Sequence, residues 1–481
     1  MARLRAAFRD KALFVRLFGP DVYAVGGFVR DLVRGTPTEE VDLLVARRPL
    51  DKIVRRISPH GRVDLVGKSF GIIKFTVKGR TYDLALPRKD APRGTGVRGH
   101  KDIAATSDPD LPIEKDLERR DFRCNSMALR LSDGALIDPF GGVKDIRAKI
   151  IRLTNPSAFP EDPLRVLRTA RFASVLGFAV DPAIYQVAKD IDLSGLSVER
   201  TNEELFKILL NSPKPSKGLE ELFKLSVLRQ LFPELYGLTL ALQDSVFHPE
   251  KDEYGHHTVW QHTKLTVDQA KTLGDLLGFA APKKLALLLA ALYHDAGKPG
   301  TAHWEFKRGR MVIINYGHDL ASEKTVKKAF QRFRIFSWNG CPLSKVVPIL
   351  IKTHHRAAEL WQNRENVTRK AFSRLAAEAG GEIELVVALD AADRAGRRKR
   401  LVKGLDREAR WLLRKFEELR VSKETIKPLI MGRDLIKLGV APGPGMGTIL
   451  KRLTKLQLDS RFETRAEGLK LAKKIIGGKR P

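Results

Sequence analysis

A strand that ends in two glycines and runs directly into a helix is the feature that most restricts how this chain can fold. The segment VYAVGGFVRDLVRG predicts a strand over 22–25, a turn at Gly26 and Gly27, and a helix over 28–34. Backbone N–H groups at such a turn and at a helix N-terminus form an anion-binding site. The segment therefore indicates an α/β domain that binds a phosphate-bearing ligand.

An acidic pair follows on the next predicted strand, over 41–45. Glu40 and Asp42 are two residues apart, a spacing that directs both carboxylates to one face of a strand. Neighbouring carboxylates hold Mg²⁺, which clamps phosphates and lowers the pKa of an attacking hydroxyl. Asp83, in TYDLAL, is a candidate third carboxylate. Glycine turns and acidic pairs also occur in α/β domains without this chemistry, so the later motifs decide.

The pattern changes along the chain from strands to helices. Further strands are predicted over 72–77 and 82–86, and the polar residues 89–116 are expected to form a long loop. From 164 the apolar residues recur at helical spacing, and the region 241–400 combines helical periodicity with most of the histidines.

Composition favours an anionic partner. The 481 residues include 87 Lys and Arg against 57 Asp and Glu, a net charge of +30, so nucleic acid is the leading partner and an anionic membrane surface the weaker alternative. The two cysteines, Cys124 and Cys341, exclude a disulfide framework and a cysteine zinc site, and both are expected to be packed thiols.

We expect neither a secretory signal nor a membrane-spanning segment. The most apolar run, 285–293, is far shorter than the roughly 18 residues of a membrane span, and charged residues interrupt the basic N-terminus before an apolar core forms. We therefore expect a cytoplasmic protein without a membrane partner.

Four later motifs complete an ordered series: RRDFRCNSMALRL at 119–131, IDPFGGVKDI at 137–146, EDPLRVLRTARFA at 161–173 and ERTNEELFKIL at 199–209. With the glycine segment they resemble the class II nucleotidyltransferases, namely CCA-adding enzymes (tRNA nucleotidyltransferases) and the related bacterial poly(A) polymerases. The resemblance implies an α/β nucleotidyltransferase palm, built on a mixed sheet with helices, followed by mostly helical neck, HD and tail domains.

The resemblance assigns roles in the palm by motif position. Gly26 and Gly27 would contact the triphosphate of the nucleotide, and Arg30 and Asp31 would order the turn and helix. Glu40 and Asp42 occupy the positions of the catalytic, Mg²⁺-binding acidic pair, which Asp83 would complete. The residues expected to handle the ribose and phosphates are Arg119, Arg120, Asp121 and, as a polar contact, Asn125.

The EDPLR motif is expected to select the base. If Asp162 and Arg165 lie three residues apart on a helix, they share a face and offer donors and acceptors to the Watson–Crick edge of ATP or CTP. Arg168 and Arg171 would neutralise phosphate, although a solvated basic helix face is the alternative interpretation of these arginines.

Glu40 departs from the family pattern, which has aspartate at this position. Glutamate keeps the charge, but its side chain is one methylene longer, so the carboxylate lies farther from the backbone. Mg²⁺ requires strict ligand geometry, and this shift therefore matters. The substitution predicts slower catalysis or a different approach of this carboxylate to the metal.

The histidine-rich region resembles an HD-type metallophosphohydrolase. His262, His294, Asp295 and Asp393 match the four-ligand pattern, in segments that include YHDAGKP and DAADRAGR. The candidates for a second metal ion are His318 and His354. Imidazole with carboxylate suits a divalent metal such as Mn²⁺, Ni²⁺, Zn²⁺ or Mg²⁺, and a bound ion would activate water against a phosphate ester.

The predicted domains are a palm (head) over 1–150, a helical neck over 151–240, a helical HD domain over 241–400 and a basic helical tail over 401–481. The basic tail would bind tRNA phosphates in a salt-sensitive way, or would be an ordinary solvated helix surface.

The expected activity is Mg²⁺-dependent addition of CMP and AMP to the 3′ end of tRNA, with ATP and CTP as substrates. An enzyme that adds only A or only CC, and a poly(A) polymerase, are alternatives within the family; the histidine-rich domain favours tRNA. A phosphohydrolase whose palm has become an RNA-binding platform, and a purely structural RNA chaperone, are alternatives from other classes.

Overall fold

The computed structural model describes residues 8–36, 38, 40–66, 72–92, 103–307, 309–398, 400–419, 428–458, 461–462 and 464–477. The chain forms two compact units, residues 1–233 and 234–481. The finer division into four domains stays a prediction. No helix among the described residues is both long and apolar enough to cross a membrane.

A mixed sheet of seven strands forms the centre of the first unit, in the order β3-β4-β5-β2-β1-β8-β9. The strands are β1 (Val22–Val25), β2 (Asp42–Val45), β3 (Arg62–Val66), β4 (Ile72–Val77), β5 (Arg80–Ala85), β8 (Ala128–Arg130) and β9 (Leu136–Ile137). Only the β2–β5 pair is parallel; the other neighbours are antiparallel. This sheet confirms the predicted α/β palm.

Short helices accompany the sheet: α1 (Lys11–Phe18), α2 (Gly27–Arg34), α3 (Leu50–Ile57), α4 (Ile113–Glu118) and α5 (Gly142–Ala148). An aromatic cluster packs α1 against the sheet, because Phe14 contacts Tyr82 of β5 and Phe75 of β4 at ring distances of 5.1 and 6.0 Å. These ring contacts hold α1 against the sheet.

The loop predicted over 89–116 was wrong for residues 89–92, 103–107 and 113–116, which form strands and a helix, whereas residues 108–112 do form a loop. Strand β6 (Arg88–Pro92) pairs antiparallel with β7 (Ile103–Ser107), and α4 follows at Ile113–Glu118. A two-stranded ribbon can form from polar residues, since its register is set by the partner strand and not by a local apolar pattern. Residues 93–102 of the predicted loop lie outside the described part of the chain.

Helices complete the first unit as predicted from their periodicity. They are α6 (Leu164–Leu176), α7 (Pro182–Ala188), α8 (Val198–Asn211), α9 (Pro215–Lys224) and α10 (Val227–Leu231), with a short parallel pair between β10 (Ile150–Ile151) and β11 (Ala179–Val180). Helix α8 begins at an N-cap, where the Ser197 side chain accepts a hydrogen bond from the Arg200 N–H.

The second unit is mainly helical. Its helices are α11 (Pro233–Leu240, which begins at the unit boundary), α12 (Val259–Leu276), α13 (Ala281–Tyr293), α14 (His318–Arg332), α15 (Leu343–Gln362), α16 (Arg369–Glu378), α17 (Ile383–Ala395), α18 (Arg407–Glu418), α19 (Gly432–Lys437), α20 (Pro444–Leu458) and α21 (Arg465–Ile476). A β-hairpin of β12 (His303–Lys307) and β13 (Arg310–Ile314) interrupts them.

Helix α13 is the centre of this unit. Its last nine residues, from Leu285 to Tyr293, are all buried. Leucine and alanine combine high helix propensity with apolar surface on every side, which suits a helix surrounded by α12, α15 and α17. His294 and Asp295 follow directly after the last residue of this helix.

We expect Leu288→Ala to lower the free energy of unfolding of the second unit by about 2–5 kcal/mol, because Leu288 is fully buried and its truncation leaves a cavity. All five tryptophans lie beyond residue 233, so tryptophan fluorescence during urea unfolding reports on this unit. The control Leu276→Ala, at an exposed position, should change stability by less than about 0.5 kcal/mol. Equal losses in both variants would contradict the assignment of α13 as the core.

Candidate functional site

Only glycine fits the turn after β1 without strain. Gly26 has a φ of 66°, and a Cβ at this position would lie 3.0 Å from the Arg120 guanidinium and 3.8 Å from the Asp42 carboxylate. A side chain would therefore be strained and would also fill the space between an arginine and an acidic group. Gly27 is the first residue of α2. The predicted glycine turn thus lies directly beside an arginine and a carboxylate.

Two of the predicted carboxylates lie side by side on the sheet. Asp42 begins β2 and Asp83 is its register partner on the parallel strand β5, so both project from the same face. Lys74 of β4, opposite Asp83, forms an ion pair with it at 3.5 Å.

Glu40 lies outside the strand, so the placement of both acidic residues on one strand was wrong. The strand begins only at Asp42, and the backbone N–H of Glu40 donates to the Thr38 hydroxyl at 3.2 Å. A local hydrogen bond from the backbone to a side chain competes with strand pairing at this point. Glu40, Asp42 and Asp83 are not among the described groups whose three ligand atoms lie within 4.8 Å of one another.

The pKa of Asp42 lies above its usual value. The Asp42 residue is exposed, but the surrounding protein removes part of the water around its carboxyl group. This desolvation is the largest cause of the raised pKa. The neighbouring carboxylates of Asp83 and Glu40 raise the pKa further, whereas Arg120 lowers it. A divalent cation at this position would relieve the repulsion between the carboxylates.

A buried aspartate that the sequence motifs did not single out holds the two arginines of the RRD motif. One oxygen of Asp116 accepts from Arg119 Nε and Nη2 at 3.0 and 2.8 Å and from the Arg88 backbone N–H at 3.2 Å. The other oxygen accepts from Arg120 Nη2 at 3.1 Å. The carboxylate is completely buried, so both guanidinium groups are oriented before any ligand arrives.

The pKa of Asp116 is lowered overall. Burial opposes the charged form, but the adjacent guanidinium groups of Arg120 and Arg119 outweigh it. A carboxylate in this setting stays ionised and keeps both arginines in place.

Asp121 and Asn125 belong to a buried network beside this pair. Asp121 accepts from Arg168 Nε at 2.7 Å, from the Asn125 side-chain amide at 3.0 Å and from a backbone N–H. The Asn125 oxygen in turn accepts from Arg30 at 2.9 Å, and Arg30 also pairs with Asp31 at 2.7 Å. The structure brings these predicted residues together, with Asp121 inside the network.

The EDPLR residues differ from their predicted arrangement. Helix α6 begins at Leu164, so Asp162 precedes the helix and does not share a helical face with Arg165. Asp162 pairs with both terminal nitrogens of Arg200, at 3.3 and 2.9 Å. Arg165 is buried and donates to backbone carbonyls of Arg119, at 2.6 Å, and Ala158. The proline after Asp162 favours an extended residue before it, which explains the later start of the helix.

Arg171 lies on the inner side of α6 instead of on a solvated face. Its guanidinium is 3.0 Å from Glu204 of α8 and stacks over the ring of Phe172 at 4.2 Å. Removal from water lowers the pKa of Arg171, against the opposite effect of Glu204. Arg168 and Arg30 lie over the same ring at 5.2 and 5.3 Å, so the basic groups are arranged around one aromatic residue.

The histidine-rich unit has a second polar centre. His262 Nε2 lies 2.7 Å from the Asp393 carboxylate, and His294 Nε2 lies 3.2 Å from Asp295 and 3.7 Å from Asp393. His318 Nε2 is 3.4 Å from the other oxygen of Asp295. Helices α12, α14 and α17 and the residues that follow α13 therefore bring the four predicted ligands and His318 to one point.

The same type of backbone hydrogen bond holds three histidines in one tautomer. In His294, His318 and His354, Nδ1 lies 2.8, 2.8 and 2.5 Å from the backbone carbonyl three residues earlier. Nδ1 must therefore carry the proton and donate it, which leaves the Nε2 lone pair for a ligand. The Nε2 atoms of His294 and His354 are buried without a hydrogen bond of good geometry. This donor set fits a divalent metal ion.

Burial favours the neutral form of His294, but the carboxylates of Asp295 and Asp393 raise its pKa to about 10. The ring therefore carries a second proton where a metal would bind, and metal binding must release it.

A cavity of about 610 Å³ opens next to this centre. Asp295, His318 and Asp393 line it, together with residues of the hairpin strand β13. Lys298, which lines the same cavity, is 2.7 Å from Asp295. The cavity therefore combines possible metal ligands with a cationic group.

The comparisons with known proteins agree with both centres. Residues 22–152 match the poly(A) polymerase head domain, 177–238 match the probable RNA and SrmB-binding site of polymerase A, and 259–395 match the HD domain. The multifunctional CCA protein of Stenotrophomonas maltophilia (strain R551-3) is 34% identical over 325 residues, which cover 65% of this chain and 71% of that protein. The chain belongs to the CCA-adding enzyme family.

Other relatives and solved structures agree. The multifunctional CCA protein of Methylobacillus flagellatus is 33% identical over 344 residues, covering 69% of this chain and 73% of that protein. The Bacillus stearothermophilus CCA-adding enzyme in complex with CTP has a TM-score of 0.58 at 22% identity, covering 99% of this chain and 98% of that one. The Thermotoga maritima CCA-adding enzyme complexed with tRNA has a TM-score of 0.53 at 20% identity, covering 96% and 95%. These structural similarities show the fold.

Sequence reasoning missed Asp116, Arg200 and Glu250 in this member of the CCA-adding enzyme family. Asp116 was detectable, since it precedes Arg119 and Arg120 by three and four residues and therefore shares a helical face with them. Glu250 lies 2.8 Å from His262 Nδ1 and carries no local signal, because its partner is distant in sequence. Arg200 lies in the 199–209 motif, but its pairing with Asp162 could not be deduced from that motif.

We expect Asp116→Asn to raise KM for nucleoside triphosphates by about tenfold or more, because it releases two arginines that the carboxylate orients. The measurement is steady-state nucleotide incorporation by the purified variant, with its thermal unfolding recorded in parallel. The control Asp133→Asn removes an exposed carboxylate paired with Arg130 and should leave KM unchanged. An unchanged KM in a folded Asp116→Asn protein would contradict this role.

Proposed function

We propose that this chain adds CMP and AMP to the 3′ end of tRNA, with CTP and ATP as substrates, at the palm site. The 3′ hydroxyl of the RNA attacks the α-phosphate of the nucleotide and pyrophosphate leaves. The observation that carries the proposal is the convergence of Gly26, Asp42 and Arg120 at the end of β1, where an anion site, a carboxylate and an oriented cation meet.

The residues of the palm would divide the work by their positions. The Gly26–Gly27 turn would approach the triphosphate closely, because no side chain intervenes. Arg119 and Arg120, oriented by Asp116, would neutralise phosphate charge as it develops on the leaving group. Preorganised charges of this kind need little reorganisation during the reaction.

Asp42, Asp83 and Glu40 would hold the Mg²⁺ that this chemistry requires. The raised pKa of Asp42 supports the assignment, since crowded carboxylates favour a bound cation. Mg²⁺ supplies charge neutralisation at the phosphates and a lower pKa for the attacking hydroxyl. Glu40 would reach the site from the turn before β2, and its additional methylene would offset its position outside the strand.

Base selection would involve Asp162 together with Arg200, and not the pair of Asp162 with Arg165 expected from the motif. Asp162 and Arg200 form a paired set of donors and acceptors on partly exposed side chains, whereas Arg165 is buried and bonded to backbone carbonyls. Arg165 would then fix the backbone of Arg119, and so couple the base-selecting element to the RRD motif.

We expect Asp42→Asn to reduce CMP incorporation into tRNA roughly a thousandfold, since several kcal/mol of metal-dependent charge stabilisation are lost. Glu40→Asp should retain activity within about tenfold, because it keeps the charge. Incorporation of radiolabelled CTP into tRNA that lacks its CCA end measures both. Wild-type rates in Asp42→Asn would contradict the assignment of the palm as the reaction site.

The buried imidazole Nε2 atoms of the second unit favour a second activity. We propose that this centre binds one or two divalent metal ions and hydrolyses a phosphate ester in the adjacent cavity. His262, His294, Asp295 and Asp393 would hold one ion, and His318 and His354 would contribute to a second. The buried Nε2 atom of His354, which has no hydrogen-bond partner among the described residues, and that of His294, which faces the carboxylates of Asp295 and Asp393, support the assignment.

We expect the affinity for Mn²⁺ to rise by up to about tenfold per pH unit below the His294 pKa of about 10, because each metal ion displaces a proton from this ring. Isothermal titration calorimetry at several pH values, in buffers of different ionisation enthalpy, measures the affinity and the released proton. Asp295→Asn should abolish Mn²⁺ binding and phosphatase activity but preserve CMP incorporation. Binding without proton release, or phosphatase activity in Asp295→Asn, would overturn this second proposal alone.

A further inference from the structure

His262 differs from the three histidines whose Nδ1 faces a backbone carbonyl. Its Nδ1 lies 2.8 Å from the Glu250 carboxylate, and its Nε2 lies 2.7 Å from Asp393. The side chains of His262 and Glu250 are both buried. An acidic side chain therefore contacts the ring nitrogen that a backbone carbonyl contacts in the other rings.

Two further groups hold Glu250 in place. The side-chain amide of Gln243 donates to the same carboxylate oxygen, Oε1, at 3.2 Å, and His248 Nδ1 lies 3.1 Å from that oxygen. An ionised carboxylate only accepts hydrogen bonds, and its burial is costly without such partners. The three nitrogens around Oε1 therefore stabilise the charge of this side chain and fix its position.

The segment that carries Glu250 is closed at its base. Leu242 pairs with Thr258 in a β-bridge, and backbone hydrogen bonds on either side of the bridge join the two ends of the segment. Helix α12 begins directly after Thr258, and His262 lies in its first turn. Residues 242–258 therefore form a loop that brings Glu250 to His262. We call this segment the Glu250 loop.

A carboxylate at Nδ1 prepares the opposite ring nitrogen for a metal ion. Because the carboxylate accepts, Nδ1 of His262 keeps its proton, and Nε2 is the nitrogen that can bind an ion. A carboxylate in this position also fixes the ring orientation and makes the ligating nitrogen a stronger donor. A backbone carbonyl fixes the tautomer as well, but it carries no full charge.

We propose that Glu250 is a positioning residue for the divalent metal ion of the histidine centre and acts through His262. Glu250 does not contact the ion; it holds the Nδ1 proton and the plane of the ring, so that Nε2 faces the ion beside Asp393. This role rests on the proposed metal centre, since His262 is one of its four ligands. The Glu250 loop thereby sets the metal affinity of a site to which it gives no ligand.

The test measures the Mn²⁺ affinity of full-length, chelator-treated proteins by isothermal titration calorimetry at one pH. Glu250→Gln keeps an acceptor without the charge, and Glu250→Met keeps neither at a similar side-chain size. The matched control, Glu253→Gln, makes the same change at an exposed position of the same loop. The affinity should fall about tenfold in Glu250→Gln and about a hundredfold in Glu250→Met, and should stay within about twofold in the control.

Two further readouts separate positioning from a loss of folding. Thermal unfolding of the metal-free proteins, followed by tryptophan fluorescence, should show a folded second unit in every variant. The visible absorption of bound Co²⁺ should shift in both Glu250 variants but not in the control, because the donor strength of one imidazole ligand changes.

The possible results distinguish this role from the metal centre itself. Wild-type Mn²⁺ affinity in both folded Glu250 variants would overturn the role and leave the metal centre intact. Loss of one of two bound ions, with wild-type affinity for the other, would also overturn it and would make Glu250 a ligand together with His248. A wild-type protein that binds no Mn²⁺ would instead overturn the proposed centre, and the role of Glu250 with it.

Discussion

The ion pairs of Asp116 with Arg119 and Arg120 are the interaction on which the palm site depends. A fully buried carboxylate would be costly without compensation, and the two guanidinium groups provide it. In return the carboxylate orients both arginines and, through the Arg88 backbone, ties them to the ribbon strand β6. Arg120 then faces the space beside Gly26, which any side chain at that position would fill. Phosphate recognition is thus prepared by contacts that themselves touch no ligand.

The histidine centre is prepared by a different means. Backbone carbonyls three residues earlier fix the tautomers of His294, His318 and His354. For His294 and His354 that carbonyl belongs to the preceding helical turn, whereas for His318 it belongs to Asn315, just before the helix begins. The palm therefore depends on side-chain charge pairs, whereas the histidine centre depends on backbone acceptors.

Local sequence patterns predicted the elements and the family but not every position in the site. Strand β1 and the strand Ile72–Val77 were confirmed at their predicted bounds, because apolar residues and turn signals define them. Glu40 and Asp162 were wrongly placed on regular elements, since a turn hydrogen bond and a following proline ended the pattern there. The pairing of Arg200 with Asp162 could not be predicted, because the two residues are far apart in the sequence. Long-range pairing leaves no periodicity in one sequence.

The central claim is that one palm adds C and A to a tRNA end and then stops. Extension of tRNA that lacks its terminal CCA, resolved to single nucleotides with CTP and ATP present, tests it most directly. The account predicts stepwise addition of C, C and A followed by arrest, with no extension of an unstructured RNA. Continued addition of A to any RNA end would contradict it and would indicate a poly(A) polymerase instead.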